Sequence, residues 1–331
     1  MRARWDKLEV EGEGPGERSS HCVSAVGGRV YVLGGEKEAR VPLPMSMFSF
    51  DAGASKLEWR VAETAGQDSP PSRNAHAQAV LGTDIYVHGG RQGVDIGEKA
   101  LSDLWKYDTL KASWQEVQCA SGDIPEPRSY HVMTALDGDL YLFGGCGEEG
   151  RLADFHAFSP AAGAWRRLND PPVAGRGGAT LEAIAASGKI FLFSGFEGKE
   201  SKDCLTYDVG KGEWTVHEKP GDFMVERSVC SSVTRNSDVI VFGGETKPSD
   251  KGHDGAGNFE NRVFLFSGSG SGSVAELQVG ASPSSGSPAP RGWSSGALVK
   301  DSMAVFYGGL TGDDKDPQRL GDCWALRFED S

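Results

Sequence analysis

Basic residues are in short supply: 34 Lys and Arg stand against 47 Asp and Glu, a formal net charge of −13. A surface of that sign repels the phosphate backbone, whose binding is driven largely by Lys and Arg releasing counterions, so nucleic acid is not an expected partner. Long apolar runs are missing too, since no window approaches the roughly 18 consecutive apolar residues of a membrane-spanning helix. The opening Met1-Arg2-Ala3-Arg4-Trp5-Asp6-Lys7 has no apolar stretch of the kind a secretory signal carries. A soluble, cytoplasmic protein away from membranes is the expectation. Cysteine is sparse: six residues, Cys22, Cys119, Cys146, Cys204, Cys230 and Cys323, lie singly along the chain. That scatter offers neither the paired spacing of a zinc site nor a dense disulfide framework, so reduced thiols are expected. No stretch shows the 3.6-residue apolar period of a helix.

Glycine, by contrast, is abundant, with 46 of 331 residues, about twice its average share. The glycines fall in a pattern. An Arg is followed 16 to 18 residues later by an apolar run ending in Gly-Gly or Ser-Gly, and this occurs six times. The pairs run from Arg18 to Gly34-Gly35, Arg73 to Gly89-Gly90, Arg128 to Gly144-Gly145, Arg176 to Ser194-Gly195, Arg227 to Gly243-Gly244 and Arg291 to Gly308-Gly309. After each glycine pair comes a second apolar run such as Leu104-Trp105-Lys106-Tyr107-Asp108, and in the first four units a Trp then opens a short alternating run at Trp59, Trp114, Trp165 and Trp214. Each unit of roughly 50 residues thus reads as four short strands divided by Gly, Asp, Pro and Ser turns, one antiparallel sheet per repeat.

The double glycine, the apolar-X-apolar-Asp segment and the spaced Trp resemble the kelch repeat. The resemblance spans the whole chain and implies an all-β, six-bladed kelch β-propeller. The predicted blades cover about 11–63, 64–118, 119–169, 170–218, 219–280 and 281–331. The sixth unit stops at its third strand, Cys323-Trp324-Ala325-Leu326-Arg327-Phe328, while Trp5-Asp6-Lys7-Leu8-Glu9-Val10 matches a fourth. The N-terminal strand 1–10 is therefore expected to complete the last blade and close the ring, removing two exposed edges. In blade five the expected Trp gives way to the Gly/Ser stretch between Phe266 and Val274, which predicts a loosely packed outer strand with a mobile turn. No residues remain outside the six units for a BTB or F-box segment, which argues against a self-contained ubiquitin-ligase adaptor.

Strand direction alternates, so the loops entering strand one and those joining strands two and three emerge on the same face. These are the long loops: 9–19, 36–46, 63–73, 91–102, 146–154, 245–261, 281–291 and 310–322. Function, if localised, belongs there. Six repeating arginines, Arg18, Arg73, Arg128, Arg176, Arg227 and Arg291, would ring the mouth as an interaction face, or would serve as hydrogen-bonding ties between blades. Residues that break the repeat carry more functional weight. Arg91 follows a glycine pair where other blades have Glu36, Phe196, Glu245 or Leu310, and Arg151 sits in the equivalent loop of the next blade. Two such guanidiniums could grip an anion bidentately. The Glu245–Phe259 loop gathers carboxylates and one imidazole, a donor mix that suits a non-heme ferrous site, or simply a solvated acidic loop.

Several motifs are more specific than the repeat. Gly14-Pro15-Gly16-Glu17-Arg18-Ser19-Ser20-His21, Arg128-Ser129-Tyr130-His131, Gly150-Arg151-Leu152, Gly252-His253-Asp254-Gly255-Ala256-Gly257 and Pro290-Arg291-Gly292-Trp293 resemble the plant nitrile-specifier and thiocyanate-forming kelch proteins. That family acts on sulfated thiohydroximates and depends on ferrous iron, held by a Glu, an Asp four residues on and a His four further on. The resemblance implies Glu245 and His253 as Fe(II) ligands; Ser249 stands at the Asp position, and Asp250 one residue later is the candidate for the third ligand. It also implies that Arg91 and Arg151 receive an anionic substrate and that Trp293 lines the pocket. Two functions of different class follow. One is a non-enzymatic kelch module that binds a protein partner through the long-loop face. The other is an Fe(II)-dependent, lyase-like relative of the specifiers acting on a small anionic metabolite. The residues do not assign a catalytic group.

Overall fold

The structure, a computed structural model, describes residues 1–62, 69–93, 99–119, 121–268, 273–282 and 284–329. Parts of the 63–73 and 91–102 loops and residues 269–272 of the Gly/Ser stretch lie outside the described residues. Among the described residues six sheets, each with four antiparallel strands, are arranged around one axis; short strands Ser121–Gly122 and Val279–Gly280 add a fifth, parallel strand to blades 3 and 6. Blade 1 is built from Cys22–Val26, Arg29–Leu33, Phe48–Asp51 and Arg60–Val61, and blade 2 from Ala77–Leu81, Asp84–Arg91, Ala100–Asp108 and Ser113–Glu116. Blades 3 to 5 begin with Val132–Leu136, Thr180–Ile184 and Ser231–Arg235. Blade 6 uses Ser295–Lys300, Met303–Gly312 and Pro317–Glu329, and its fourth strand is Arg2–Leu8. The register runs without a break from Arg2 opposite Glu329 to Leu8 opposite Cys323. The N-terminal strand therefore closes the ring, as the repeat predicts.

Apolar residues alternate along each strand and pack between neighbouring blades. Trp5 of the closing strand, 2% exposed, meets Phe242 of blade 5 at 4.9 Å and Phe306 of its own blade at 5.5 Å. In blade 5 the outer strand Val274–Leu277 forms and pairs with Val263–Ser267, even without the Trp.

The ring is also closed by two circular sets of backbone hydrogen bonds. The residue two after each repeating Arg has positive φ: Ser20, Ala75, Tyr130, Gly178, Val229 and Trp293, between 49° and 63°. Five of these six are not glycine, a costly choice that persists only where surroundings impose it. What imposes it is the set of contacts around the axis. Each N–H of these six residues donates to the carbonyl of its counterpart in the preceding blade, at 2.8–3.0 Å, and the cycle ends where it began, Ser20 on Trp293. In the second set, the N–H of the later glycine of each pair donates to the carbonyl of the next blade's Arg, at 2.8–3.1 Å. A side chain on the earlier glycine would press on that carbonyl, as at Gly89, where Arg128 O would be 2.9 Å away. This is the physical content of the repeated glycine.

Candidate functional site

The repeating arginines are the first residues the structure reassigns. All six are 0–4% exposed, so they do not form an interaction face. Each guanidinium bonds the carbonyl of the first residue of its own blade's glycine pair, at 2.8–3.3 Å, while its backbone ties to the preceding blade. Carboxylates from the third strand or the loop before it complete the clasp: Asp103, Asp154, Asp203, Glu260 and Asp322 pair with Arg73, Arg128, Arg176, Arg227 and Arg291. Among the described residues no such acid pairs with Arg18, whose side chain is held by the carbonyls of Gly34 and Pro15. Burial lowers its pKa to about 10.

The long-loop face instead gathers the positions that break the repeat. The residue after each glycine pair bridges to the residue after each Arg, pairing Glu36 with Ser19, Arg91 with Asn74, Cys146 with Ser129, Phe196 with Gly177, Glu245 with Ser228 and Leu310 with Gly292. Five of the six residues that follow a glycine pair, Glu36, Cys146, Phe196, Glu245 and Leu310, line a cavity of about 380 Å³. One wall is aromatic. Trp293 stands edge-on to Tyr130 with ring centres 5.6 Å apart, and His253 packs 5.2 Å from Tyr130 and 4.9 Å from Trp293. His253 reaches them from a short 3₁₀ turn, Gly252–Asp254, in the blade-5 loop, and its Nδ1 lies 3.4 Å from the Tyr130 hydroxyl. Opposite, the exposed Arg151 lays its guanidinium 4.6 Å over Phe196.

The charges are unevenly distributed. Glu36, 2% exposed, accepts from Arg40 N at 2.8 Å and Asn74 Nδ2 at 2.9 Å, with Arg319 Nη2 at 3.7 Å. Arg91 is fully buried behind Tyr130, its guanidinium 5.8 Å from the ring, and the cavity wall does not include it. Burial holds the His253 imidazole down to about 3, and the charges of Arg91, Arg40 and Arg319 push the same way, so the ring is neutral. Burial raises Glu245 to about 7, with Asp314 adding to it, and raises Glu200 to about 8, with Glu245 adding to it.

Of the residues the sequence singles out, Glu245, His253, Trp293 and Arg151 meet at one cavity, whereas Arg91 sits behind it. Asp250 is exposed, and among the described residues no three His, Cys, Asp or Glu side chains assemble as a metal-holding group. The residues present do not fit the ferrous iron the resemblance implies. Sequence reasoning missed Tyr130, Phe196, Cys146 and Arg319 as wall residues. Cys146 and Phe196 occupy repeat-breaking positions after their glycine pairs and Tyr130 stands two residues after a repeating Arg, so the signal was there to find; Arg319 has no counterpart in the pattern.

Comparison with known proteins agrees with the kelch-propeller fold. The sulfolyase acting on N-(sulfonatooxy)prop-2-enimidothioate from Thlaspi arvense is 27% identical over 290 residues, 80% of this chain and 81% of that protein. Kelch domain-containing protein 3 of Rattus norvegicus is 24% identical over 271 residues, 75% of this chain and 69% of that one. The solved structure of YjhT aligns with a TM-score of 0.73 over 98% of both chains at 16% identity, a likeness of fold alone. The model of the KLHDC2/KLHL20/DRC7 kelch-repeats domain matches residues 20–244. With its double glycines, arginine clasps and six closed blades, the chain belongs to that kelch-repeat family.

Proposed function

We propose that this protein is a binding module that takes one group of a partner protein into the cavity at the mouth of the ring. The observation that carries the reading is that five of the six positions where the repeat is broken line one cavity at the mouth, while the repeated positions are spent on holding blades together. A cavity of about 380 Å³ with an aromatic wall is the shape in which interfaces place their anchor residues. Capture from cell extract on the immobilised protein tests it. Partners retained by wild type and by Lys111→Ala, on the opposite face, are expected to fall at least about tenfold on Trp293→Ala, an effect of about 1.4 kcal/mol. Equal capture by Trp293→Ala would remove the reading.

A second reading rests on the relation to the sulfolyase and on Arg151 at the rim: a small sulfated or otherwise anionic metabolite held against the aromatic wall. Calorimetric titration with an aryl sulfate is expected to give saturable binding weakened about tenfold by Arg151→Ala. Absence of heat in wild type would discard it.

A further inference from the structure

The blade-5 loop crosses the mouth towards blades 3 and 6, and the groups that the resemblance would give to iron are committed to other partners there. Glu245, 6% exposed, accepts the backbone N–H groups of Ser249 and Gly257, and a side chain at Gly257 would collide with its carboxylate. Ser249 gives its hydroxyl to Asp314 and accepts Lys251 N at 2.9 Å, while Lys251 Nζ reaches the Asp314 carbonyl. His253 faces the Tyr130 hydroxyl with Nδ1, and its carbonyl accepts Arg319 Nη2 at 3.3 Å. Arg40, Arg91 and Arg319 all project positive charge onto the imidazole. A divalent cation needs several converging oxygen or nitrogen donors in a field that attracts it. Here Glu245 and Ser249 are engaged by the loop's own N–H groups and by Asp314, His253 Nδ1 faces the Tyr130 hydroxyl, and three guanidiniums make the field at the imidazole repulsive to a cation.

We infer that this loop is a metal-free latch, in which Glu245 and His253 hold residues 249–257 across the channel mouth as one wall of the cavity and bind no ferrous iron. The inference does not depend on what the cavity takes. Glu245 fastens the base of the loop and His253 fastens its tip to the aromatic wall.

Hydrogen exchange and calorimetry on the full chain test both halves. Glu245→Ala is expected to speed exchange of the 249–257 amides about tenfold while the blade strands keep their protection. His253→Ala is expected to speed exchange around Gly252–Gly255. Ferrous iron, added anaerobically to wild type, is expected to change neither the exchange nor the calorimetric baseline. Saturable one-to-one binding of ferrous iron that Glu245→Ala abolishes would overturn the inference. So would loop exchange equally fast in wild type and in the variants. If Glu245→Ala does not fold, His253→Ala and Tyr130→Phe carry the same comparison.

Discussion

A buried guanidinium with a carboxylate and one without are different objects, and this protein contains both at equivalent positions. Arg128 donates to Asp154 at 2.6 and 2.7 Å and to Gly144 O at 3.1 Å, with its side chain fully covered. Removing it strands a carboxylate whose pKa that guanidinium, together with His156, holds below the ordinary range against burial. Arg128→Ala is therefore expected to cost about 3–5 kcal/mol in urea unfolding. Arg18→Ala strands only carbonyls, so its cost is expected to be smaller, about 1–3 kcal/mol. Equal losses would mean that the acid adds nothing to the clasp. The arginine pattern is plain in the sequence, but its meaning is not. Spacing identifies a repeated cation, and only the fold tells whether the cation faces water or a carbonyl.

The closing strand behaves as part of blade 6 in register and packing. Trp5 contacts Phe242, Phe306 and Trp324, so it joins two blades as well as two strands. Trp5→Ala is expected to destabilise by about 3–5 kcal/mol, read as a lower denaturant midpoint. Deleting residues 1–8 would leave the long strand Pro317–Glu329 with an open edge, and light scattering is expected to show self-association. A monomeric deletion variant as stable as wild type would contradict that role. The strand was legible because its Trp precedes the next Arg by 13 residues, within the 11 to 14 found in the other units. The outer strand of blade 5 was harder to read, since it lacks that Trp and is held by pairing with Val263–Ser267 instead.

At the scale of the molecule, buried histidines and buried glutamates pull stability in opposite directions with pH. Burial lowers His21, His76, His88 and His253 to about 3, and His131 well below its usual value. The unfolded chain protonates these rings near pH 6.5, so it binds more protons than the native state between about 6.5 and 3, and stability falls as pH drops through that window. Glu200 and Glu245, raised to about 8 and 7, act in reverse. The native state keeps protons that the unfolded chain has released above about 4.5, so this contribution shrinks as pH rises to 8. Each unmatched proton is worth about 1.4 kcal/mol per pH unit. Urea midpoints are expected to peak near neutrality and to fall on both sides, and Glu200→Gln is expected to flatten the alkaline limb. A midpoint that climbs steadily from pH 6 to 8.5 would refute the assignment.

The amino-acid order alone determined the blade count, the closing strand and the face that carries the long loops, because each follows from a period and from strand alternation, both local properties of the chain. It also pointed to Glu245, His253, Trp293 and Arg151. The tertiary structure alone decided that the six arginines are buried clasps, that Arg91 lies behind the wall, and that Glu245 and His253 are tied to backbone and to Tyr130. Those outcomes depend on which donors and acceptors from distant blades meet in a water-poor interior, and no spacing along the chain encodes that meeting.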